Sequence, residues 1–341
     1  MAEVRPFAAL RYDEGKAGAL ADLVAPPFDV IDAEERQAYR QRSPYNVVHL
    51  TLPDSAEEAR HLLAEWRESG ILRRDEVSYW ALSQTYTGPD GVERKRSGYV
   101  VSLRIEPYER RVVLPHERTH AGPKEDRLRL LRATRTQLEP IFLLHDGAPA
   151  RVPDRAPDIE VAGDRLWRVE HGPEVEDRQL LIADGHHRYE TALAFHEEDG
   201  TEESAWMMVV LVSTHEEGLT IFPTHRVAER IDGVRGEPID EPGDELPGLV
   251  LYRGGRYELL PSDELDVDVV DRLAPQGVTY TPNRSDAVAT VDAGRAEGAF
   301  LLRPTPIEEV FAVARRGAVM PQKSTYFYPK LTSGLLFAPL D

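Results

Sequence analysis

The segment from Leu180 to Glu190 restricts the possible folds of this chain more than any other. It opens with an uninterrupted apolar run, Leu180 to Ala183, which is typical of a buried strand. Gly185 then allows a tight turn, and the apolar residues after it recur at helical spacing through Glu197. The segment therefore predicts a strand that passes through one glycine turn into a helix.

Polar side chains crowd the predicted junction between this strand and helix. His186, His187 and Arg188 stand at the start of the helix, where backbone N–H groups lack helical partners and the dipole is positive. Such a helix start binds anions, phosphate above all. Asp184 would need a partner there, which a divalent cation bridging it to phosphate would supply. A solvated rim of polar residues is the alternative explanation of the same pattern.

The composition favours small ligands over polyanions. The chain has 341 residues, with 41 Lys and Arg against 60 Asp and Glu, and its net charge of −19 would repel a nucleic-acid backbone. It has no cysteine, which excludes disulfides and thiolate catalysis. The N-terminal residues lack the apolar core of a signal peptide, and no segment is apolar for long enough to cross a membrane. We expect a cytoplasmic protein that binds small molecules, and neither nucleic acid nor membranes.

Strand and helix patterns are mixed along the chain without strict alternation, which predicts an α+β or mixed α/β fold. Alternating residues over Val77–Thr87 and Tyr99–Ile105, on either side of a Gly-Pro-Asp-Gly turn, predict a β-hairpin. Residues 232–248 are rich in Gly, Pro and acidic residues, which indicates a linker or excursion. The predicted division is a core at 1–231, an excursion or small subdomain at 232–299, and a segment at 300–341 that returns to the core.

A second group of polar residues lies in a loop that leads into a basic helix. His116, Glu117 and His120 match the H-E-x-x-H pattern of zinc proteases, in which both histidines must lie on one helix face. A proline directly before the motif and a Gly-Pro pair after it argue against a helix there. We favour a second anion-binding loop containing His116, His120, Lys124 and Arg127, with a solvated charged loop as the alternative.

The third group lies in the segment at 320–330. Its prolines favour an extended, ordered loop, and its three aromatic residues are more typical of a core. Lys323 and Lys330 can neutralise phosphate as point charges, and Ser324 and Thr325 can donate hydrogen bonds to phosphate oxygens. A fourth, smaller group, Thr224, His225 and Arg226, fits a capped helix start better than a ligand site. We expect these four groups to meet at one phosphate-binding site.

The chain resembles a widespread prokaryotic family known as domain of unknown function 1015. The resemblance depends on three motifs, LPHERTHAGPKEDR at 114–127, IADGHHRY at 182–189 and MPQKSTYFYPKL at 320–331. The segment APPFDVI at 25–31 also fits, with Phe28 where tyrosine is usual. The motifs are spread over nearly the whole chain, but the family label carries no activity.

Residues Asp184 to Arg188 are also similar to the phosphate-binding motif of the ParB/sulfiredoxin superfamily. That group includes CTP-hydrolysing partition proteins, sulfiredoxin and free-serine kinases, and the Asp-Gly-His-His-Arg form is nearest to the kinases. Sulfiredoxin uses a cysteine in this motif, and partition proteins carry a basic DNA-binding surface; this sequence offers neither. The resemblance implies a ParB/sulfiredoxin-like core with additional β-hairpins and helices, which binds phosphate through Gly185 and the residues after it.

The motifs and the resemblance together predict a nucleotide-dependent phosphotransferase that acts on a small hydroxylated metabolite. Free serine is the favoured acceptor, and ATP or ADP is the expected donor. Asp184 would hold Mg²⁺, and Asp29 or Glu117 would accept the hydroxyl proton. A nucleotide-binding sensor without catalysis and a phosphatase of a phosphorylated amino acid are the alternatives. The sequence leaves the oligomeric state open.

Overall fold

The computed structural model of the chain describes residues 1–117 and 122–341, including the side chains in these ranges except those of residues 122–124. Helices and strands are intermingled along the chain, as predicted. The described strands are β1 Val4–Arg5, β2 Leu10–Tyr12, β3 Leu72–Arg74, β4 Tyr79–Thr87, β5 Glu93–Arg104, β6 Val113–Leu114, β7 Thr136–Gln137, β8 Ile141–His145, β9 Ile159–Val161, β10 Asp164–Val169, β11 Leu180–Asp184, β12 Trp206–Ser213, β13 Thr220–Phe222, β14 His225–Arg230, β15 Glu237–Ile239, β16 Leu249–Arg253, β17 Arg256–Leu260, β18 Gln276–Thr281, β19 Gly298–Leu301, β20 Tyr326–Tyr328 and β21 Ala338–Pro339.

Ten α-helices lie in the same described ranges, and three short 3₁₀ turns occur at Phe28–Val30, Tyr108–Arg110 and Glu203–Ala205. Six of the helices precede the predicted phosphate-binding junction in the chain. The helices are α1 Glu14–Ala17, α2 Leu20–Leu23, α3 Ala33–Arg42, α4 Val48–Thr51, α5 Ala56–Glu68, α6 Gly122–Thr134, α7 His186–Asp199, α8 Asp266–Leu273, α9 Arg284–Asp292 and α10 Ile307–Arg315.

The larger sheet has the strand order β6-β11-β8-β12-β5-β4-β10-β9, with β1 also paired to β5. Its β11–β6 and β12–β8 pairs are parallel, whereas its other pairs are antiparallel. The central strands β8 and β12 are buried along their whole length, as expected for strands covered on both faces. This mixture of parallel and antiparallel pairs with helices confirms the mixed α/β fold class.

The predicted hairpin is confirmed as β4 and β5, which pair up to Thr87 opposite Glu93. β5 begins at Glu93, well before the predicted start at Tyr99. The added residues are polar, so they lack the alternation that marks a strand in the sequence. Backbone pairing with β4 nevertheless keeps these residues in the strand, although their sequence alone does not predict one.

A second sheet of six strands has the order β15-β17-β16-β19-β14-β18, and all of its pairs are antiparallel. Helix α9 packs on it through Ala287 and Val291, which join the same buried cluster as Val227, Val250 and Leu301. The sheet therefore takes β14 from the predicted core at 1–231 as well as strands from 232–301. The predicted division into three units stays a prediction.

The predicted strand–turn–helix unit is confirmed as β11, Gly185 and α7. β11 is buried from Leu180 through Ala183, and α7 begins at His186. Tyr189, Ala192 and Phe195 are spaced three residues apart and form part of the buried face of the helix. The unit thus places the polar side chains of the α7 start at the edge of the large sheet. No helix within 1–117 or 122–341 has the length and apolar character that a bilayer crossing requires.

Candidate functional site

A cleft of about 420 Å³ opens where β11 passes into α7. It brings together side chains that the sequence separates by up to three hundred residues, from the 3₁₀ turn at Phe28–Val30 to the segment after β20. The residues predicted from the sequence that line this cleft are Asp29, Glu117, Asp184, Gly185, His186, His187, Arg188, Lys323, Thr325 and Lys330.

Gly185 makes the sharp turn that aims the start of α7 into the cleft. Its φ of 96° lies in the left-handed region, and a Cβ at this position would stand 2.6 Å from Cγ2 of Ile141. Gly185, which directly precedes α7, has no side chain that could cap the helix, and the first N–H groups of a helix have no acceptor within the helix itself. A glycine here therefore gives a ligand close access to the positive end of the helix.

Asp184 is shared between two cations at the centre of the cleft. Arg188 donates from Nη2 to its Oδ2 at 2.7 Å, and the ammonium of Lys330 contacts its Oδ1. Burial alone would raise the pKa of Asp184, but the charges of Lys330 and Arg188 outweigh it and lower the pKa to about 2. The three groups therefore carry one net positive charge at neutral pH.

Arg188 is held from several directions. Its side chain is 10% exposed, and Nη1 donates to the backbone carbonyl of Pro140. Burial lowers its pKa, but the carboxylates of Glu139 and Asp184 outweigh that effect and raise the pKa above its ordinary value. Its guanidinium is thus permanently charged and fixed in orientation, which suits it to bind a phosphate oxygen.

His116 and His186 are uncharged links between segments. The backbone N–H of His116 donates to Nε2 of His186, which must therefore be unprotonated. Nδ1 of His116 lies 2.6 Å from the carbonyl of Ile182, and its Nε2 lies 2.9 Å from Oγ1 of Thr325. Burial lowers the pKa of His116 to about 4 and lowers that of His186 as well. Both imidazoles are therefore neutral near pH 7, because desolvation disfavours the charged ring.

Glu117 is a half-buried carboxyl group on the wall of the cleft. It forms an isolated parallel bridge with Met320, whose N–H donates to the carbonyl of His116 at 2.7 Å. Burial raises the pKa of Glu117 above its ordinary value, and the nearby Lys323 opposes this shift only in part. A carboxyl group of raised pKa is suited to accept a proton near neutral pH.

Some predicted residues lie outside the cleft lining. His116 stands behind it, and Ser324 is buried with its hydroxyl donating to the carbonyl of Pro321. Arg127 stacks over the ring of Phe28 at 4.2 Å and donates to the carbonyl of Thr51, so it supports the wall of the cleft from behind. His120 and the side chain of Lys124 lie outside the described residues.

The sequence reasoning missed Glu139, a fully buried carboxyl group behind the cleft. It accepts hydrogen bonds from the backbone N–H of Phe28 at 3.0 Å and from the hydroxyl of Ser333 at 2.7 Å. Burial raises its pKa, and the charge of Arg188 opposes the shift. A lone acidic residue between Leu138 and a proline, just before an apolar strand, was the one available signal in the sequence.

The second sheet also contributes to the cleft. Of its contributing residues, the sequence pointed only to Thr224, where the favoured helix start is wrong because His225–Arg230 is a strand held by pairing with its neighbours. Tyr280 and Pro282 come from the end of β18, and Thr224 directly precedes β14. The strand β18 was not predicted, because its mostly exposed residues have no apolar alternation. Only a long-range pairing of β18 with β14 brings Tyr280 to the site.

The described residues do not form a ready-made magnesium site. Both oxygens of Asp184 are occupied by cations, and no three His, Asp or Glu side chains in the described ranges are grouped to hold a metal ion. Mg²⁺ commonly binds through one or two carboxylates together with substrate phosphates, so a metal here would depend on the nucleotide. Magnesium binding by Asp184 stays a prediction.

The chain is similar to several solved structures at low sequence identity. A free serine kinase in complex with AMP is 18% identical, with a TM-score of 0.40 over 66% of this chain and 89% of the kinase. A C-terminally truncated SbnI from Staphylococcus aureus is 13% identical, with a TM-score of 0.43 over 70% of this chain and 87% of that one. No curated protein sequence matches the chain significantly.

The family comparison covers most of the sequence. A model described as "protein of unknown function (DUF1015)" matches residues 4–241. The matched range contains the β11–Gly185–α7 junction and Glu117, and it ends before β16. The chain therefore belongs to the DUF1015 family of proteins of unknown function.

Proposed function

We propose that the protein is a nucleotide-dependent phosphotransferase that acts on the hydroxyl group of a small metabolite, with free serine as the favoured acceptor. The observation that carries this proposal is the meeting of three features in one cleft. A helix N-terminus and the cations Arg188 and Lys330 face a carboxyl group of raised pKa, Glu117. This is the division of labour that phosphoryl transfer requires, with fixed positive charge for phosphate and a base for the acceptor.

The phosphate groups of ATP or ADP would bind at the start of α7. The N–H groups of the first turn, the guanidinium of Arg188 and the ammonium of Lys330 are the donors for their oxygens. Lys323, which is exposed on the same cleft, adds a flexible charge that can follow the transferred group. In this role Asp184 keeps Arg188 and Lys330 in place between turnovers.

Glu117 would act on the acceptor. In its deprotonated form it accepts the hydroxyl proton as the acceptor oxygen forms its new bond to phosphorus. The bond between that phosphorus and the bridging oxygen of the nucleotide breaks in the same displacement, and the shortened nucleotide leaves. Asp29, on the 3₁₀ turn at the cleft, is the second candidate for this base.

The test is a turnover assay with the purified protein. ATP or ADP is incubated with serine, with glycerol or with no acceptor, each with and without Mg²⁺, and phosphorylated acceptor and shortened nucleotide are measured by mass spectrometry. We expect equal amounts of both products, formed only when a hydroxylated acceptor is present. The magnesium arms test the predicted metal separately.

The same assay separates the alternatives predicted from the sequence. Tight nucleotide binding without acceptor-dependent turnover would contradict the transferase and favour a sensor. Release of inorganic phosphate from phosphoserine without any nucleotide would favour a phosphatase. A melting temperature unchanged by every nucleotide would contradict the transferase and the sensor, because a ligand of the folded state raises that temperature and both functions require a bound nucleotide.

A further inference from the structure

The cleft contains apolar surface that phosphate binding does not explain. Among the described residues, six large hydrophobic side chains are exposed, and two of them, Val30 at 45% and Tyr280 at 46%, line this one cleft. They come from the N-terminal loop and from the second sheet, respectively. Exposed apolar groups that share a pocket with fixed charges indicate a ligand with one charged and one apolar part.

Tyr280 is supported as a platform rather than left loose on the surface. It lies on β18 directly opposite Arg226 of β14, whose guanidinium is 5.7 Å from the centre of the ring. Arg226 is buried and donates to the carbonyl of Thr224 at 2.7 Å. The edge strand and the buried cation therefore hold the ring at the cleft while nearly half of its area remains accessible.

The platform is connected to the phosphate-binding part of the cleft. Arg226 also lies within 3.4 Å of the carbonyl oxygen of Lys323, the residue that carries one of the cleft's cations. The cleft volume of about 420 Å³ is within the range of pockets that enclose a small organic ligand. One ligand can thus contact the ring of Tyr280 and the charged groups at α7.

We propose that Tyr280 binds the planar base of the nucleotide by stacking, that Val30 adds apolar surface on the same cleft, and that α7, Arg188 and Lys330 hold the phosphates. This subsite rests on the proposed function, because it needs a nucleotide in the cleft. Stacking on an aromatic ring strengthens binding of any base, since every base has a π face. Tyr280 lies beyond residues 4–241, so the base is bound by a part of the chain outside the range that matches the family.

The experiment compares a ligand that has a base with one that has only phosphates. ATP and inorganic tripolyphosphate are titrated calorimetrically into the full-length protein and into Tyr280→Ala, Tyr280→Trp and Thr279→Ala. Thr279→Ala is the matched control, because Thr279 is the exposed neighbour of Tyr280 on the same strand. We expect Tyr280→Ala to weaken ATP about tenfold or more, and to leave tripolyphosphate within about twofold. Tyr280→Trp and Thr279→Ala should bind ATP within about threefold of the unaltered protein.

Two results would overturn the base subsite alone: unchanged ATP affinity in Tyr280→Ala, or an equal loss of ATP and tripolyphosphate, which would mark a structural effect. If the unaltered protein binds neither compound, the proposed function fails, and the subsite fails with it. Melting temperatures of the four proteins, measured without ligand, show whether the substitutions leave the fold intact.

Discussion

At the scale of single residues, burial decides which groups in the cleft are charged. The pKa of His116 is lowered to about 4 and that of Glu117 is raised, both chiefly because their charged forms are desolvated. Asp184 is also desolvated, yet its two cationic partners, Lys330 and Arg188, lower its pKa to about 2. The cleft and the layer directly behind it therefore combine the neutral imidazoles of His186 and His116, the permanently ionised carboxylate of Asp184 and one carboxyl group, Glu117, whose charge changes closer to neutrality.

Substitution of Glu117 by Gln tests whether this residue is the general base that accepts the hydroxyl proton. We expect Glu117→Gln to lower kcat by a factor of about 100 to 10,000 and to leave ATP affinity within about threefold, because general-base catalysis supplies that much and the amide keeps the shape. In the unaltered protein, kcat should fall with decreasing pH through the raised pKa of Glu117, because only the ionised form accepts a proton. Steady-state rates between pH 4 and pH 9 give both results.

The matched control is Asp29→Asn, which alters the other candidate on the same cleft. If Asp29→Asn abolishes turnover while Glu117→Gln retains it with an unshifted pH profile, then Asp29 is the base and Glu117 is not. The sequence could nominate both carboxylates but could not rank them. The ranking depends on how deeply Glu117 is buried against the segment around Met320, and only the folded chain determines that.

At the scale of elements, hydrogen bonds from the large sheet hold the segment that carries Lys330 in place. Arg96 of β5 is 1% exposed and donates to the carbonyls of Tyr328 and Pro329, at 3.3 and 2.9 Å. Arg96 also donates to Gln84 of β4. The side-chain amide of Gln84 donates in turn to the buried Asp164, which Thr332 also contacts. Residues on both sides of Lys330 are thereby fixed to one buried polar network.

Arg96→Met measures the strength of this clamp. The substitution keeps the apolar contact with the core but removes the donor of one buried acceptor, the Gln84 oxygen, and of two partly buried carbonyls. We expect the free energy of unfolding to fall by about 3 kcal/mol, since each buried acceptor without a partner costs about 1–3 kcal/mol. Arg73→Met on the exposed face of β3 is the control and should change stability by no more than about 0.5 kcal/mol. Equal denaturation midpoints for the two variants would show that the network contributes nothing.

The same scale shows what the sequence could predict. The β4–β5 hairpin, β8, β11, α7 and β12 are marked by strong local patterns, and the structure confirms them. The elements α8, β18 and α9 were missed. β18 is a mostly exposed edge strand, paired on one side only, so its sequence carries no apolar alternation and its position is set by pairing with β14.

The contents of the site were predictable to the extent that local motifs carried them. Asp184 to Arg188 stand in a polar run and Lys330 in a motif of lysines, prolines and aromatic residues, and the structure lines one cleft with them. Glu139, Arg96 and Tyr280 stand alone in otherwise ordinary segments. Their roles come from contacts with residues more than forty positions away, which a linear pattern does not display.

At the scale of the whole molecule, a strongly acidic chain gathers three cationic side chains, Arg188, Lys323 and Lys330, in one cleft beside the carboxyl groups of Asp29, Glu117 and Asp184. The net charge of −19 opposes the approach of a long polyanion, whereas a small nucleotide needs only the few donors inside the cleft. The two sheets contribute different parts of this cleft. In the proposed function, the large sheet positions β11 and α7 for the phosphates, and the second sheet presents Tyr280 to the same cleft.

The most direct measurement is the affinity of Lys330→Ala for ATP, determined by calorimetric titration beside the unaltered protein and Arg73→Ala. Because Lys330 is a charged donor at the centre of the proposed phosphate site, its loss should weaken ATP binding about tenfold or more, while Arg73→Ala binds as the unaltered protein does. ATP binding of equal strength in all three proteins would contradict a phosphate site at the β11–α7 junction.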